Sequence, residues 1–422
     1  MSVIPILSQR ETWEKFYEYK TSLISSSEFS KKLRAFIDEE AYREVCGRIA
    51  SGGTLSLPRK SVISKQSSRK KRTVYTYPEN ENMVLKLITY LLLRKYDGVF
   101  EDVLYSFRPG VTAKDAVRRL VAVYNRDDWF VYKADVSNYF NSIPVADLLP
   151  MLEEVLADDP EILRFLSGLL TEDRVMDGDR IIAEEKGIMA GTPIASFYAN
   201  LYLKDLDRWF AERDIPYARY SDDIIFFAET EEKREELAEF IKSFLGERGL
   251  EVNPDKEERS DPGEGFTFLG FRISRGKVDI APASVVKLKR KMRRKVRALA
   301  RWSKRNGIGR DKAARAFARV FKGKLLDSPE GRDLSWSRWF FPVINTDESL
   351  KTIDAYAQDC MRYLASGVRT KSRFNVRYED LKELGYVSLV HEYYRFRREE
   401  KEEETDREYI DLTDPGPRCR TW

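Results

Sequence analysis

The chain has 422 residues, enough for about two or three domains or one large enzyme of several lobes. Its 22 Tyr, 23 Phe and 7 Trp exclude disorder throughout, because disordered chains are poor in aromatic residues. The net charge is only +4, and the one histidine, His391, excludes a metal site built from several histidines. Three scattered cysteines, Cys46, Cys360 and Cys419, exclude a disulfide framework and a paired-cysteine zinc site. Any metal would be a hard cation held by carboxylates.

Helical patterns dominate the first part of the chain. Residues 8–50 predict polar, amphipathic helices that end at Ser51-Gly52-Gly53. The basic stretch Lys65–Tyr77 predicts a turn that leads into a short strand. Helices are then expected over Glu79–Tyr96 and over Thr112–Tyr124, the second with Thr112 as its N-cap.

The pattern changes at Trp129–Ala134, a short apolar run that predicts a buried strand with Asp135 at its end. A helical stretch is expected over Val145–Leu170. The later predicted elements are a glycine-rich loop opening into a helix (Lys186–Leu203), a strand–turn–strand unit (Ala218–Ala228), a helix (Glu231–Arg248) and a hairpin (Phe266–Ile273 with Lys277–Ile280). This order predicts an α+β fold in which a palm-like sheet carries helices on one face and a helical remainder forms a separate lobe.

No segment predicts a membrane partner or export. The longest apolar run, near Leu85–Leu93, is interrupted by Lys86, Thr89 and Tyr90, so it is not a membrane span. The first residues lack the basic start, the long apolar stretch and the cleavage site of a signal peptide. We therefore expect a soluble, cytoplasmic protein with reduced cysteines.

Three carboxylates stand at predicted strand ends or turns: Asp135, Asp222 and Asp223. Adjacent carboxylates repel and raise each other's proton affinity, and a divalent cation removes that penalty. The alternative is an ordinary polar hairpin turn, since Asp-rich turns are common. Apolar residues follow the Asp pair directly, from Ile224 to Phe227, which places the pair inside a buried hairpin and favours a metal site for phosphoryl transfer.

The segment Tyr220-Ser221-Asp222-Asp223 resembles the YxDD signature of reverse transcriptases. Further blocks that resemble the family follow in its order: Tyr105–Gly110 with Ala113–Ala116, Lys133–Ile143, Gly187–Leu203, Gly249–Lys256 and Phe268–Phe271. The resemblance covers residues 60–282 and is nearest to bacterial group II intron-like, retron-like and defence-associated enzymes. It implies a right-hand polymerase with fingers, a palm containing an antiparallel sheet, a helical thumb and a C-terminal helical region.

The resemblance also implies domain boundaries. Residues 1–60 would form an N-terminal helical extension and residues 61–130 the fingers. Residues 131–282 would form the palm, with part of the fingers inserted. Residues 283–422 would form a basic helical thumb and a C-terminal RNA-binding region.

In the family's pattern, Asp135, Asp222 and Asp223 bind two Mg²⁺ ions, for which Mn²⁺ can substitute, and the Val136 carbonyl is a further ligand. Phe140 falls where the family places an aromatic gate, which would clash with a ribose 2′-hydroxyl and favour dNTPs. Its alternative role is a core side chain, as for most aromatic residues.

Nucleotide-binding candidates surround this block. Of the basic cluster Arg69–Arg72, Lys71 or Arg72 is expected to hold the incoming triphosphate through charge-assisted hydrogen bonds, against the alternative of a solvated turn. Arg108 is a further candidate, unless it only braces its loop. Lys256 is expected at the leaving pyrophosphate, or else is a surface lysine. Gly191 lies in a loop whose glycines permit close approach to the templating base and nucleotide.

This loop departs from the family. Ala190 stands where related enzymes usually have Gln, and Ala195-Ser196 stands where they have Ser-Pro. The missing Gln puts ordinary template handling in doubt and indicates a specialised bacterial lineage.

A basic stretch is expected to form a thumb helix. Eleven of the twenty residues from Val286 to Arg305 are Lys or Arg, and none is acidic. Such a helix favours a nucleic-acid backbone over a solvated surface. The candidate contacts are Lys289, Arg290, Arg293, Arg294 and Arg297. Further on, Tyr378–Arg397 combines aromatic and basic residues, which fits either structured RNA or a helical core.

The resemblance therefore implies an RNA-directed DNA polymerase that uses dNTPs to copy an RNA template into DNA. By family analogy, its setting is phage defence with a partner non-coding RNA. One alternative is an RNA-binding, maturase-like protein, and another is a template-independent or protein-primed DNA polymerase. The oligomeric state stays open.

Overall fold

The computed structural model describes residues 2–22, 27–64, 71–123, 128–326 and 336–413. The chain forms two compact units, the first reaching to Leu269 and the second running from Gly270 onward, with the turn Ser274–Gly276 counted in the first. Across these ranges no helix has the length and apolar character needed to cross a membrane. Arg69, Lys70 and Cys419 lie outside the described residues.

The first unit is mixed helix and sheet. Its helices are α1 (Arg10–Ser22), α2 (Ser27–Asp38), α3 (Tyr42–Ala50), α4 (Glu79–Lys95), α5 (Ala113–Val123), α6 (Tyr139–Ser142), α7 (Val145–Val155), α8 (Pro160–Thr171), α9 (Ala195–Tyr202), α10 (Lys204–Ala211) and α11 (Glu231–Glu247). Its strands are β1 (Arg59–Ser64), β2 (Lys71–Thr76), β3 (Phe130–Asp135), β4 (Arg174–Asp177), β5 (Arg180–Ala183), β6 (Tyr217–Tyr220), β7 (Asp223–Ala228), β8 (Glu258–Ser260) and β9 (Phe266–Phe268).

The central sheet has the strand order β6-β7-β3-β8, with antiparallel neighbours. Strand β7 is an almost continuous apolar run, as expected of a strand covered on both faces. Tyr132, Phe226 and Tyr217 face each other across three strands. Phe210 of α10 stacks on Tyr217 at 4.3 Å between ring centroids and on Phe226 at 5.8 Å. This aromatic packing fixes the sheet beneath the turn between β6 and β7.

A second sheet has the order β2-β1-β4-β5. Strands β1 and β2 pair antiparallel, from Arg59 opposite Thr76 to Ser64 opposite Lys71. Strand β2 also contacts the glycine-rich loop, because the Tyr75 N–H donates to the Ala190 carbonyl at 2.8 Å.

The second unit is mainly helical. It contains the adjacent strands β10 (Phe271–Ser274) and β11 (Lys277–Ile280) and the helices α12 (Pro282–Arg305), α13 (Arg310–Leu325), α14 (Trp336–Phe340), α15 (Glu348–Ser366), α16 (Tyr378–Glu383) and α17 (Leu389–Thr413). Helix α12 packs on α13 and α15 through one apolar face, and α15 also packs on α17. The buried Asp354 carboxylate of α15 accepts from the Leu389 N–H at 2.9 Å, at the start of α17.

The α+β prediction is confirmed, and several boundaries differ from the sequence-based expectation. The helical stretch expected over Val145–Leu170 consists of two helices, because buried Asp159 caps α8 through the Ile162 N–H and Pro160 starts it. The strand expected over Phe266–Ile273 is broken, since Leu269 and Gly270 both have positive φ. Strands β1, β4, β5 and β8 were not predicted.

The two cysteines within the described ranges, Cys46 and Cys360, are free and buried. Burial raises the pKa of each thiol to about 12, so both stay protonated at neutral pH. Both side chains belong to the core.

Candidate active site

Two strand ends and one turn bring the predicted carboxylates together. Asp135 is the last residue of β3 and lies directly opposite Asp223, the first residue of β7. Asp222 precedes it in the tight turn from β6, and the Val136 N–H donates to the Asp222 carbonyl at 3.0 Å. The antiparallel register therefore places three carboxylates at one end of the central sheet, as the sequence predicted.

The site is partly shielded from water, and this shielding raises the pKa of two of its carboxyl groups, Asp222 and Asp223. Burial, together with repulsion from Asp222 and Asp135, raises the pKa of Asp223 to about 6. Burial and then Asp135 likewise raise the pKa of Asp222, while Lys256 and Arg72 oppose the rise. The cluster is thus short of positive charge in the absence of a cation.

Of the three carboxylates, Asp135 accepts the most hydrogen bonds from other side chains. It is buried, and the Lys256 ammonium group donates to its carboxylate. The Asn253 N–H donates to its carbonyl at 2.7 Å, and the Asn253 amide reaches its carboxylate at 3.4 Å. The segment that follows α11 therefore positions both Lys256 and Asp135.

The turn that carries the Asp pair is held by buried polar contacts. Ser221 has φ of +61°, a left-handed conformation that is unfavourable for a residue other than glycine. Its N–H donates to the Ser106 hydroxyl at 2.9 Å, and that hydroxyl donates to the Asn200 side chain at 3.0 Å. The Asn200 amide returns a bond to the Ser106 carbonyl at 2.8 Å. Together these hydrogen bonds give the buried polar groups of the turn their partners and fix its conformation.

A buried ion pair completes this support. Arg219 and Asp207 are both almost fully buried, and Arg219 Nε donates to Asp207 at 2.7 Å. The same guanidinium donates to the Ser221 carbonyl at 3.3 Å and to the Asn200 carbonyl at 3.1 Å. Tyr217 adds a bond to Asp207 at 3.0 Å. Arg219 and Asp207 were not predicted from the sequence, although a charged residue such as Arg219, between apolar residues just before the Asp pair, was a usable signal.

The donor set fits a hard divalent cation. Carboxylate and carbonyl oxygens are the ligands that such ions prefer, and Asp135, Asp222, Asp223 and the Val136 carbonyl supply them here. Across the described ranges, however, no three carboxylate, imidazole or thiol groups are close enough to form a ready metal cluster. One ligand, Asp135, is engaged by Lys256. The residues present therefore fit a cation chemically, and the side chains must rearrange to bind it.

Three further predicted residues, Phe140, Gly191 and Arg108, line one cavity of about 760 Å³, with Tyr220 also on its wall. Phe140 is half-buried in α6 and meets Tyr139 edge-to-face. Gly191 has φ of +101°, and an added Cβ would lie 3.1 Å from the Tyr75 carbonyl oxygen. A glycine is thus required here by the close approach of β2, in addition to any role in binding.

The predicted basic contacts are distributed unevenly. Lys71 and Arg72 are both exposed at the start of β2, and the charge of Arg72 acts to lower the pKa of Asp222. The Arg108 side chain is only 7% exposed and pairs with Asp97 at 2.9 Å, which braces its loop. A nucleotide-binding role for these three residues stays a prediction.

The basic candidates of the predicted thumb lie on α12, in the second unit. Arg290, Arg293, Arg294 and Arg297 are exposed, while Lys289 is half-buried, with its ammonium group 5.5 Å from the centre of the Tyr356 ring. The opposite face is buried through Val285, Met292, Val296 and Leu299. Within the part of the chain that the structure describes, no basic side chain of α12 forms an ion pair. The helix thus presents uncompensated positive charge.

Curated relatives are distant. The group II intron-encoded protein LtrA of Lactococcus lactis subsp. cremoris is 22% identical over 52% of this chain and 37% of its own length. Protein YkfC of Escherichia coli is 22% identical over 54% of this chain and 69% of its own length. The chain thus spans little more than a third of the length of LtrA.

Among solved structures, apo telomerase from Candida tropicalis superposes with a TM-score of 0.47 and 12% identity, over 79% of this chain and 60% of that one. Telomerase from Candida albicans in complex with a fragment of telomeric RNA gives 0.41 and 10% identity, over 84% and 71%. Superpositions this loose carry no weight for the function of this chain.

The model of one protein family matches the segment that holds all three carboxylates. It is described as reverse transcriptase (RNA-dependent DNA polymerase), and it matches residues 63–273, which is half of the chain. The matched segment contains the central sheet, the turn with Asp222 and Asp223, and the support beneath it. This chain belongs to the reverse transcriptase family.

Proposed function

We propose that this protein is an RNA-directed DNA polymerase that copies an RNA template into DNA. The observation that carries the proposal is the placement of Asp135 beside Asp222 and Asp223, on a turn fixed by buried polar groups, in a chain of the reverse transcriptase family. Clustered, partly desolvated carboxylates are costly in a protein that only binds RNA. In a polymerase, the same carboxylates would bind the metal ions that the reaction needs.

Enzymes of this family use divalent metal ions, and we assign two Mg²⁺ ions to Asp135, Asp222, Asp223 and the Val136 carbonyl. When bound, the ions would stabilise the charge that develops on the attacking and leaving oxygens during nucleotidyl transfer. Lys256 holds Asp135 in the absence of a cation and, once displaced, is free to neutralise the departing pyrophosphate. Phe140 is assigned the exclusion of ribonucleotides.

The template and product are assigned from the family and from charge. The exposed arginines of α12, unpaired in the described structure, suit a phosphate backbone. A relative is encoded by a group II intron, which is consistent with an RNA partner for this chain. Use of a dedicated non-coding RNA in phage defence stays a finer proposal, and sequencing the RNA and DNA that co-purify from infected and uninfected cells tests it.

The decisive measurement is dNTP incorporation by the purified protein on an annealed RNA template with a DNA primer, in Mg²⁺. We expect Asp222→Asn with Asp223→Asn to lower incorporation by at least about a thousandfold, because removal of the charged ligands removes transition-state stabilisation worth several kcal/mol. Asp214→Asn is the matched control, since Asp214 is exposed in a left-handed turn that Asn also adopts.

Other outcomes would redirect the assignment. A folded wild type that binds the RNA–DNA hybrid without incorporating dNTPs would support the RNA-binding, maturase-like alternative. Homopolymer product, or DNA covalently attached to the protein, would support template-independent or protein-primed synthesis.

A further inference from the structure

The side chain of Asn141 joins two segments that carry predicted nucleotide-binding residues. Asn141 is half-buried in α6, directly after Phe140. Its amide nitrogen donates to the Thr73 carbonyl of β2 at 3.2 Å, and its amide oxygen accepts from the Ala190 N–H of the glycine-rich loop at 3.2 Å. A carbonyl only accepts and an N–H only donates, so this position needs a side chain that does both. No role was predicted for Asn141 from the sequence.

Backbone hydrogen bonds run beside this contact. The Ile188 N–H donates to the Phe140 carbonyl at 2.9 Å, and the Tyr75 N–H donates to the Ala190 carbonyl at 2.8 Å. Both backbone groups of Ala190 are therefore bonded, one to Asn141 and the other to β2. Helix α6, strand β2 and the glycine-rich loop are thus held together at one point.

The glycine-rich loop has a backbone conformation that depends on such contacts. Gly187, Met189 and Gly191 have φ of +51°, +61° and +101°. For Met189, which carries a side chain, the left-handed region is unfavourable and persists only where the surroundings enforce it. Asn141 bonds the next residue, Ala190, and so contributes to keeping the loop in this conformation.

Cavities lie on both sides of the contact between α6 and the loop. Phe140 and Gly191 line the cavity of about 760 Å³, whereas Asn141 and Gly187 line a different cavity of about 820 Å³. A side chain in a close-packed interior is held by its neighbours, but a wall between two cavities lacks neighbours on either side. Hydrogen bonds such as those of Asn141 therefore have to hold Phe140 in place.

We propose that Asn141 is a positioning residue that determines sugar specificity, because it fixes the distance between the Phe140 ring and the cavity wall at Gly191. The proposal rests on the proposed function, in which Phe140 excludes ribonucleotides. A ring rejects a ribose 2′-hydroxyl only while it cannot move aside, and a displacement of about 1 Å is enough to change a rate by about a hundredfold. Asn141 lines the other cavity, so it acts through Phe140.

The test measures incorporation of one dCTP or one CTP on an annealed RNA template with a DNA primer, and compares kcat/KM for the two nucleotides. Asn141→Leu keeps the branched shape and removes both hydrogen bonds. We expect its preference for dCTP to fall at least about tenfold, mainly through better use of CTP. Asn141→Asp keeps the acceptor for the Ala190 N–H and loses the donor to the Thr73 carbonyl, so its preference should lie between those of the wild type and Asn141→Leu. Each ratio comes from one preparation and does not depend on the folded fraction.

A second arm separates positioning of the ring from a general effect on the fold. In a Phe140→Ala background the ring is absent, so adding Asn141→Leu should not lower the preference further. Ser142→Ala is the matched control. Ser142 follows Asn141 and lines the same cavity of about 820 Å³, and within the described ranges its side chain has no hydrogen bond. This variant should keep the wild-type preference.

Hydrogen exchange supplies a readout that needs no nucleotide. In Asn141→Leu, the amides of residues 187–193 should exchange at least about tenfold faster than in the wild type, because the loop has lost a bond that keeps it closed. Unchanged exchange would show that Asn141 does not hold the loop and would overturn the proposal.

The incorporation results also decide it. An unchanged preference in Asn141→Leu, with or without an equal loss of activity on both nucleotides, would overturn the proposal. An equal further loss of preference in the Phe140→Ala background would do the same, since Asn141 would then act without the ring. A wild type that incorporates neither nucleotide would refute the proposed polymerase and with it the specificity role, whereas hydrogen exchange would still decide whether Asn141 holds the loop.

Discussion

Ser221 shows how a single strained residue is kept in place at the candidate site. Its left-handed backbone positions Asp222 and Asp223, and its N–H and carbonyl are both held by buried side chains. Arg219 reaches that carbonyl only because Asp207 compensates its charge. An ion pair this deep is a weak source of net stability, but loss of one partner is severe.

We therefore expect Asp207→Asn to lower the free energy of unfolding by about 3–5 kcal/mol, since it leaves the Arg219 charge buried without its carboxylate. Urea titration followed by circular dichroism measures the change. The double variant Arg219→Met with Asp207→Leu should recover much of this loss while still reducing dNTP incorporation, because the Ser221 carbonyl stays unsupported. An Asp207→Asn variant as stable as the wild type would contradict this account of the turn.

The carboxylates could be predicted from sequence, whereas their supports could not. Asp222 and Asp223 are adjacent and flanked by apolar residues, so a local pattern was sufficient. Ser106 and Asn200 are separated by 94 residues, and they meet only because the loop after α4 folds against α9. Local periodicity contains no information about such a contact.

For helix α12, the sequence predicted both the helix itself and the basic character of its surface. Apolar residues at helical spacing bury one face, and eleven of the remaining positions are Lys or Arg, with no acidic residue among them. Its exposed arginines make no ion pair within the described ranges, so their replacement removes charge and leaves the folded chain otherwise intact.

Replacing Arg293, Arg294 and Arg297 with Gln should weaken binding to an RNA–DNA hybrid and reduce the salt slope by about one for each phosphate that is no longer neutralised. The free energy of unfolding should change by less than about 0.5 kcal/mol per residue. Fluorescence anisotropy between low and moderate salt measures the slope. Lys351→Gln on α15 is the control, because Lys351 is exposed and pairs with Asp347 at 2.9 Å. An unchanged slope would remove α12 from the nucleic-acid interface.

Short strands were the elements that sequence patterns handled least well. Strands β4 and β5 have four residues each and several exposed side chains, so they lack the alternation of a half-buried strand. Strand β1 pairs with β2 along its length, a pairing visible only in three dimensions. The break at Leu269 and Gly270 depends on a backbone conformation that Leu rarely adopts.

The whole chain divides into two compact units, each with its own buried residues. Chains of this size commonly unfold in more than one step, because each unit has its own packing and cooperativity. The family match ends at residue 273, close to the boundary between the units. The domain limits inferred within the first unit stay a prediction.

Phe321→Ala should destabilise the second unit selectively. Phe321 is buried in α13 beside Phe317 and Tyr386, and removal of a buried ring costs about 3–5 kcal/mol. Native-state hydrogen exchange should show weaker amide protection from α12 to α17, with little change in the central sheet. Phe210→Ala in α10 is the converse variant. Equal loss of protection in both units would show that they unfold as one.

The linear chain was sufficient for what depends on neighbouring residues: the α+β class, the positions of the long helices, the basic face of α12 and the candidate carboxylates. Each of these features follows from the local spacing of apolar and charged residues or from a short motif. The support of the turn, the pairing of Asp135 with Lys256 and the contacts of Asn141 emerged from folding, because each joins segments far apart in sequence. Long-range contacts are set by how buried surfaces fit together, and no local pattern encodes that fit.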